Sequence, residues 1–190
     1  MRQQSFFITL GLAAVTSLAT ISLPANFSQS TAAELQSNQV TFLCQSMFDA
    51  ASGESIPTTV AWIPERKGHV YFIGWKSEYF NKGGWTPAQR CQKVSQKFQE
   101  FYEQGRLNFL STGKIKGYPV ICGVLNQGET CNPSNQLFTL RTGSDAEDVI
   151  QKLMDIAEGK SGGIIFQNSN DQLYVSVKDF FNKSPLIPGK

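Results

Sequence analysis

The sequence predicts an α+β domain: a largely antiparallel sheet with two main helices packed on one face, stabilised by disulfides. Three observations predict it. Short runs rich in β-branched and aromatic residues follow one another at hairpin spacing. Two longer segments carry apolar residues three or four apart and begin with capping signals. The helices are few and grouped, and most strand connections are short, which is the pattern of an antiparallel sheet rather than of alternating βαβ units. The chain has 190 residues, enough for one domain with a good core. It shows no internal repeat, linker or second domain.

The first 33 residues read as a signal peptide and residues 34–190 as the domain. Residues 1–4 (MRQQ) are a short positive start and residues 6–23 an uncharged apolar run. Ala25 and the stretch Thr31-Ala32-Ala33 offer small residues for cleavage, so a site between 25 and 33 is expected. The alternative is an uncleaved anchor, since 18 residues are just enough for a marginal span. Either way the remainder is exported. Arg2 is the only charged side chain before Glu34, leaving 16 basic against 15 acidic residues beyond it. That balance argues against a nucleic-acid partner, which would require a concentrated basic patch, and against a polybasic membrane anchor.

After a polar lead-in, residues 40–45 (VTFLCQ) form strand one. Residues 51–57 hold Ser, Gly, Glu and Pro and read as a loop. Residues 58–63 (TTVAWI) and 69–75 (HVYFIGW) form a hairpin about a polar turn. Residues 76–84 are a connector with two aromatics and a glycine pair. The main helix spans residues 85–105. Thr86 is its N-cap, Pro87 its first residue and Gln89 its third, a capping box with proline where the missing N–H costs nothing. Cys91, Val94, Phe98 and Phe101 share one face, and Gly105 supplies the stop.

Residues 107–110 are a short strand broken by Ser111-Thr112-Gly113. Residues 118–125 (YPVICGVL) and 137–141 (LFTLR) are strands joined by a polar loop. The second helix starts from Ser144 as N-cap with Glu147 as third residue. Asp145, Glu147 and Asp148 put negative charge in its first turn. Ala146, Val149, Ile150, Leu153, Met154 and Ala157 make its apolar face, and Gly159 ends it. Residues 161–163 are a turn. Residues 164–166 and 173–177 are short strands or a strand with a helical turn, and residues 184–190 are a tail.

Cys44, Cys91, Cys122 and Cys131 all lie in the domain. An even number in an oxidising compartment indicates two disulfides. Four cysteines allow three pairings, and sequence alone does not choose among them. Cys122–Cys131, a short local loop, and Cys44–Cys91, which ties the first strand to the main helix, are the favoured pairs. A zinc site is disfavoured, because there is no C-x-x-C and a single histidine, His69.

Other chemistry is sparse. His69 sits at a strand start with no nameable nucleophile or acid. Gly83-Gly84 precedes a helix but lacks any phosphate fingerprint, and reads as a hinge for packing Trp85 under the helix. Residues 168–171 (NSND) are oxygen-rich without the spacing of a calcium loop. Arg90, in the first turn of the main helix, is disfavoured by the dipole and needs a carboxylate or carbonyl partner; it is expected to pin helix to sheet. Among the aromatics Tyr71, Phe72, Trp75, Tyr79, Phe80 and Trp85, most are expected in the core. Tyr79 and Phe80 lie in the connector and are the candidate partner surface. No catalytic, cofactor-binding or metal-binding set emerges.

The run TFLC … IGWKSEYF … GGWTPAQRC … VSQKF … GRLNFLSTG … PVICGV … LFTLR resembles the cyanobacterial circadian oscillating protein family, small exported polypeptides whose abundance cycles daily. The resemblance covers residues 40–158, and G-W-T-P-x-x-R-C followed by V-S and P-V-I-C is its most specific part. Lys116-Gly117 departs from it, Asn being expected before the glycine, and the departure affects a turn. The resemblance implies a cyanobacterial, exported, peripherally membrane-associated protein with no assigned reaction. The destinations that fit are the periplasm, the outer face of the plasma membrane and the thylakoid lumen. The expectation is a non-enzymatic binding or envelope protein without a cofactor, whose partner is an unknown protein or envelope component. The alternatives are a hydrolase with a carboxylate pair and a membrane-anchored structural protein.

Overall fold

The computed structural model describes residues 38–157 and 172–188. The expected signal segment, the stop at Gly159, the turn at 161–163, the run at 164–166 and the NSND turn lie outside the described residues.

The fold is α+β, with its strands divided between two antiparallel sheets. The first comprises β1 (Thr41–Asp49), β2 (Glu54–Ile63) and β3 (Gly68–Gly74), in that order. A turn through Gly53, whose φ of 72° suits glycine, joins β1 to β2. Both strands are longer than composition suggested, and residues 54–57 are strand rather than loop. Pro57 is tolerated there because it lies at the end of the β2–β3 ladder, which begins at Thr58: its carbonyl accepts the Trp75 N–H at 2.9 Å and no N–H is required of it.

Helix α1 (Pro87–Glu103) lies against this sheet. Its start is the capping box expected, with Thr86 and Gln89 exchanging bonds and proline in the first turn. Its buried face is Cys91, Val94, Ser95, Phe98 and Phe101. Two clamps tie α1 to the edge strand: the Cys44–Cys91 bridge, with Cα atoms 5.6 Å apart, and Gln99, whose Oε1 accepts the Phe42 N–H at 2.7 Å. A side chain from the helix thereby satisfies part of an otherwise unpaired edge.

The second sheet runs β6-β5-β4-β7, from β4 (Phe109–Ile115), β5 (Tyr118–Val124), β6 (Gln136–Thr139) and β7 (Tyr174–Ser176). Ser111-Thr112-Gly113 does not break β4 but sits inside it, because the Ser111 hydroxyl bonds the Leu173 carbonyl at 2.9 Å and helps to hold β7 in place. Gly113 has a packing reason: a Cβ there would come within 2.5 Å of Cys131 Cβ. The Cys122–Cys131 bridge, Cα–Cα 5.7 Å, folds the loop of residues 126–135 over this face of the sheet. Helix α2 (Ala146–Ala157) packs on β4, β5 and β7. Its N-cap is Asp145 rather than Ser144. The Asp145 carboxylate accepts the N–H groups of Glu147 (2.9 Å) and Asp148 (3.4 Å), while the Ser144 N–H belongs to the preceding turn and donates to Arg141 O.

After β7 the chain forms a third helix, α3 (Val177–Lys183), which extends past the strand or helical turn expected up to Val177. Ser176 caps it by accepting the Asp179 N–H at 3.2 Å. At its other end Arg66 donates to the carbonyls of Phe181 and Ser184, both at 2.6 Å, satisfying end groups that an isolated helix leaves to water. The tail returns to the first sheet, where Leu186 bridges Val70 and Ile187 N–H bonds His69 O.

One core joins both sheets and all three helices. At its centre stand Phe42, Phe72, Phe98, Phe180 and Phe181, with ring centroids 4.7 Å (Phe72–Phe180), 4.9 Å (Phe72–Phe98) and 5.2 Å (Phe42–Phe98) apart. Such aromatic pairs add to the burial term.

Candidate functional site: an aromatic groove around Arg90

The first turn of α1 projects Arg90 toward the connector that leaves β3. Its guanidinium lies between two rings, 5.3 Å from the centroid of Trp75 and 5.2 Å from that of Phe80. One Nη donates to the carbonyl of Ser77. Arg90 therefore joins helix, strand end and connector. Its partner is a carbonyl and two aromatic faces, which balance the unfavourable position against the helix dipole. Nε is buried with no partner among the described residues, and burial pushes the guanidinium pKa down.

The aromatics divide sharply. Phe72 and Trp75 are buried, and Phe80 is half-buried with its edge toward Tyr79 (centroids 5.0 Å). Tyr79 is 55% exposed, Trp85 47% and Tyr71 43%. The expectation that Trp85 packs under α1 is not met. The Gly83-Gly84 pair closes a 3₁₀ turn over Asn81–Gly83, Gly84 taking φ 81°, and the turn delivers Trp85 to the surface. Tyr79 is tethered from its far end, its hydroxyl lying 3.3 Å from Thr142 Oγ1.

Trp85, Tyr79, Phe80 and Arg90 form part of the wall of a groove of about 680 Å³ between the connector, α1 and the outer strand β6. Tyr118, 52% exposed at the start of β5, completes the aromatic rim. Lys93 and Lys97 add charge from α1, and no carboxylate lines the groove. The Lys97 ammonium donates to Gln136 O at 3.1 Å. Its pKa is pushed down by burial and by Lys93, with Glu100 opposing. On the other side of Arg90 and Phe80 lies a smaller hollow of about 380 Å³, reaching Lys76, Arg141 and Lys152.

Tyr79, Phe80 and Arg90 thus stand together. The reading of the sequence missed Trp85, Tyr118, Lys93 and Lys97 as members of the same surface. The i, i+4 lysines on α1 were a visible signal, but Tyr118 is brought there only by the packing of the second sheet beside α1. His69 lies elsewhere, against Trp62 with ring centroids 5.0 Å apart. The carboxylates of Glu100 and Glu103 accept from Gln104 and Gln99 on the exposed side of α1. Among the described residues no group of three His, Cys, Asp or Glu side chains could hold a metal ion, and no helix is long and apolar enough to cross a membrane.

The family model for circadian oscillating protein COP23 matches residues 41–182, which include every element of both sheets and nearly all of α3. No curated protein and no solved structure matches the chain.

Proposed function

The chain belongs to the circadian oscillating protein COP23 family, and from that premise we propose an exported, membrane-peripheral domain that binds an envelope component and performs no chemical step. The observation that carries the reading is the groove around Arg90. Three aromatics with half their surface in water, Tyr79, Trp85 and Tyr118, ring a shared concavity. Exposed aromatic clusters of this kind mark surfaces that await a partner. Rigid attachment adds to the argument, because Arg90, stacked between Trp75 and Phe80, fixes the groove's inner wall and so lowers the ordering cost of binding.

Export is supported by the apolar leader followed by small residues and by two disulfide-bonded cysteine pairs, which persist in oxidising compartments. A hydrolase of the carboxylate-pair type needs two acids facing each other across a cleft. The two cavities that meet at Arg90 offer none in their linings, which favours binding over catalysis there.

Co-sedimentation tests the reading. The native protein, mixed with envelope membranes washed free of peripheral proteins, is expected in the pellet. Tyr79→Ala/Trp85→Ala is expected in the supernatant with its unfolding midpoint only modestly lowered, since both side chains are about half exposed and the Tyr79–Thr142 contact lies at the surface. Equal pelleting of the two proteins, or no pelleting of either, overturns the proposal.

A further inference from the structure

We infer that the group recognised in this groove is an acidic group on a flat apolar body, of which an aromatic carboxylate is the simplest example. The inference rests on the groove being the binding surface. Three cations line it and no acid does. Among the described residues the ion pairs are Lys76–Asp49 and Lys152–Asp148, and neither draws on Arg90, Lys93 or Lys97. Positive charge is therefore concentrated without an ion-paired counter-charge.

That charge is also partly removed from water. Burial lowers the pKa of both Arg90 and Lys97, and Lys93 lowers Lys97 further, with Glu100 on the outer side of α1 opposing in part. Lys93 and Lys97 are one helical turn apart, where like charges repel. An anion between them relieves the repulsion and meets cations whose competing hydration is already reduced.

The body of the ligand follows from the rest of the lining. Tyr79, Trp85 and Tyr118 offer ring surface at the rim, suited to stacking on a planar group. A groove of about 680 Å³ is in the range that small molecules occupy, roughly 300–1,000 Å³. Three cations around an apolar floor suit one anionic head, whereas a polyanion needs a long basic track.

The test compares 2-naphthoate with its neutral isostere 2-naphthamide, titrated into the native protein and followed by tryptophan emission and by calorimetry. Naphthoate is expected to bind at least about tenfold more tightly, the scale of a charge-assisted hydrogen bond. Lys93→Gln/Lys97→Gln is expected to remove most of that preference, with some fall in unfolding midpoint from the lost Lys97–Gln136 hydrogen bond, and Lys93→Gln alone, at an exposed position, is expected to lower the preference without that fall. Equal affinity for the two probes, or a preference undiminished by the double substitution, overturns the anionic assignment and leaves the groove as a binding surface. No binding of either probe overturns both.

Discussion

Trp75 and Thr59 are locked together in the core: the indole Nε1 donates to the threonine hydroxyl at 3.0 Å. The Ser95 hydroxyl lies 3.0 Å from the same oxygen, so the residue that follows β3 meets β2 and α1 at one polar point among buried residues. Thr59 sits where the β2–β3 ladder shifts register. The other face of Trp75 carries Arg90. The polar point in the core and the floor of the groove are thus two ends of one side chain.

Thr59→Val keeps the shape and removes the acceptor. The buried Trp75 N–H is then left without a partner, at a cost of about 1–3 kcal/mol. Thr59→Ser, which restores the oxygen, is expected to recover most of that loss. Chemical denaturation midpoints of the three proteins check this, and a valine variant as stable as the parent would show that the bond contributes nothing.

The two disulfides differ in the length of chain they close. Cys44–Cys91 spans 47 residues and Cys122–Cys131 spans 9. Restricting the unfolded chain contributes about 4 kcal/mol for the first and about 2.6 kcal/mol for the second. Cys44→Ser/Cys91→Ser is therefore expected to lower stability more than Cys122→Ser/Cys131→Ser. The longer bridge also anchors the edge strand to α1, so hydrogen exchange in β1 should rise in the first variant alone. Equal losses from both variants would contradict the loop-length account.

The β4–β5 turn explains why Lys116 stands out. Lys116 has φ 51° and Gly117 φ 81°, the paired positive values of a type I′ hairpin turn, in which Asn-Gly is favoured. A lysine there bears the left-handed penalty that asparagine largely escapes. Lys116→Asn is expected to stabilise the protein by about 0.5–1 kcal/mol, seen as a rise of roughly 1–4 °C in thermal midpoint. Gly117→Ala should act in the opposite direction. A neutral or destabilising Lys116→Asn would mean that the lysine side chain compensates for its backbone.

What could be read in the sequence was whatever is decided locally. The capping box of α1 needs only Thr86, Pro87 and Gln89, and it formed as read. Helix α3 is decided elsewhere. Val177, Phe180 and Phe181 do stand at helical spacing behind the Ser176 cap, but seven residues are too few to hold a helix alone, and its stability comes from Phe42, Phe72 and the distant Arg66. Pro57 misled for a related reason: it looks like a strand breaker until β3 is known to start pairing one residue later. The placing of β7 beside β4 is decided at long range, with the Ser111 hydroxyl bonding the Leu173 carbonyl 62 residues away. In the groove, Tyr79, Phe80 and Arg90 each carried a local oddity, an aromatic in a connector or a cation at a helix start. Tyr118 carried none, because only tertiary packing brings it to that surface.

Acid sensitivity should begin at the first hairpin. Asp49 accepts from the Ser52 hydroxyl at 2.6 Å and the Ser52 N–H at 3.1 Å, and it is ion-paired with Lys76 at the end of β3. The Lys76 hydrogen bond, followed by that from the Ser52 hydroxyl, holds the carboxyl pKa at about 2, below its ordinary 3.8. A depressed carboxylate stabilises the fold fully above its unfolded-state pKa, and the contribution disappears as pH falls through the folded value. Stability is therefore expected to decline between about pH 4 and pH 2. Asp49→Asn should lose this part of the decline, so the two proteins should differ at pH 6 and converge near pH 2. The ion pair is open to solvent, so raised salt should narrow the gap at pH 6. Parallel urea midpoints for the two proteins across that range would remove Asp49 from the account and place the acid response on other carboxylates.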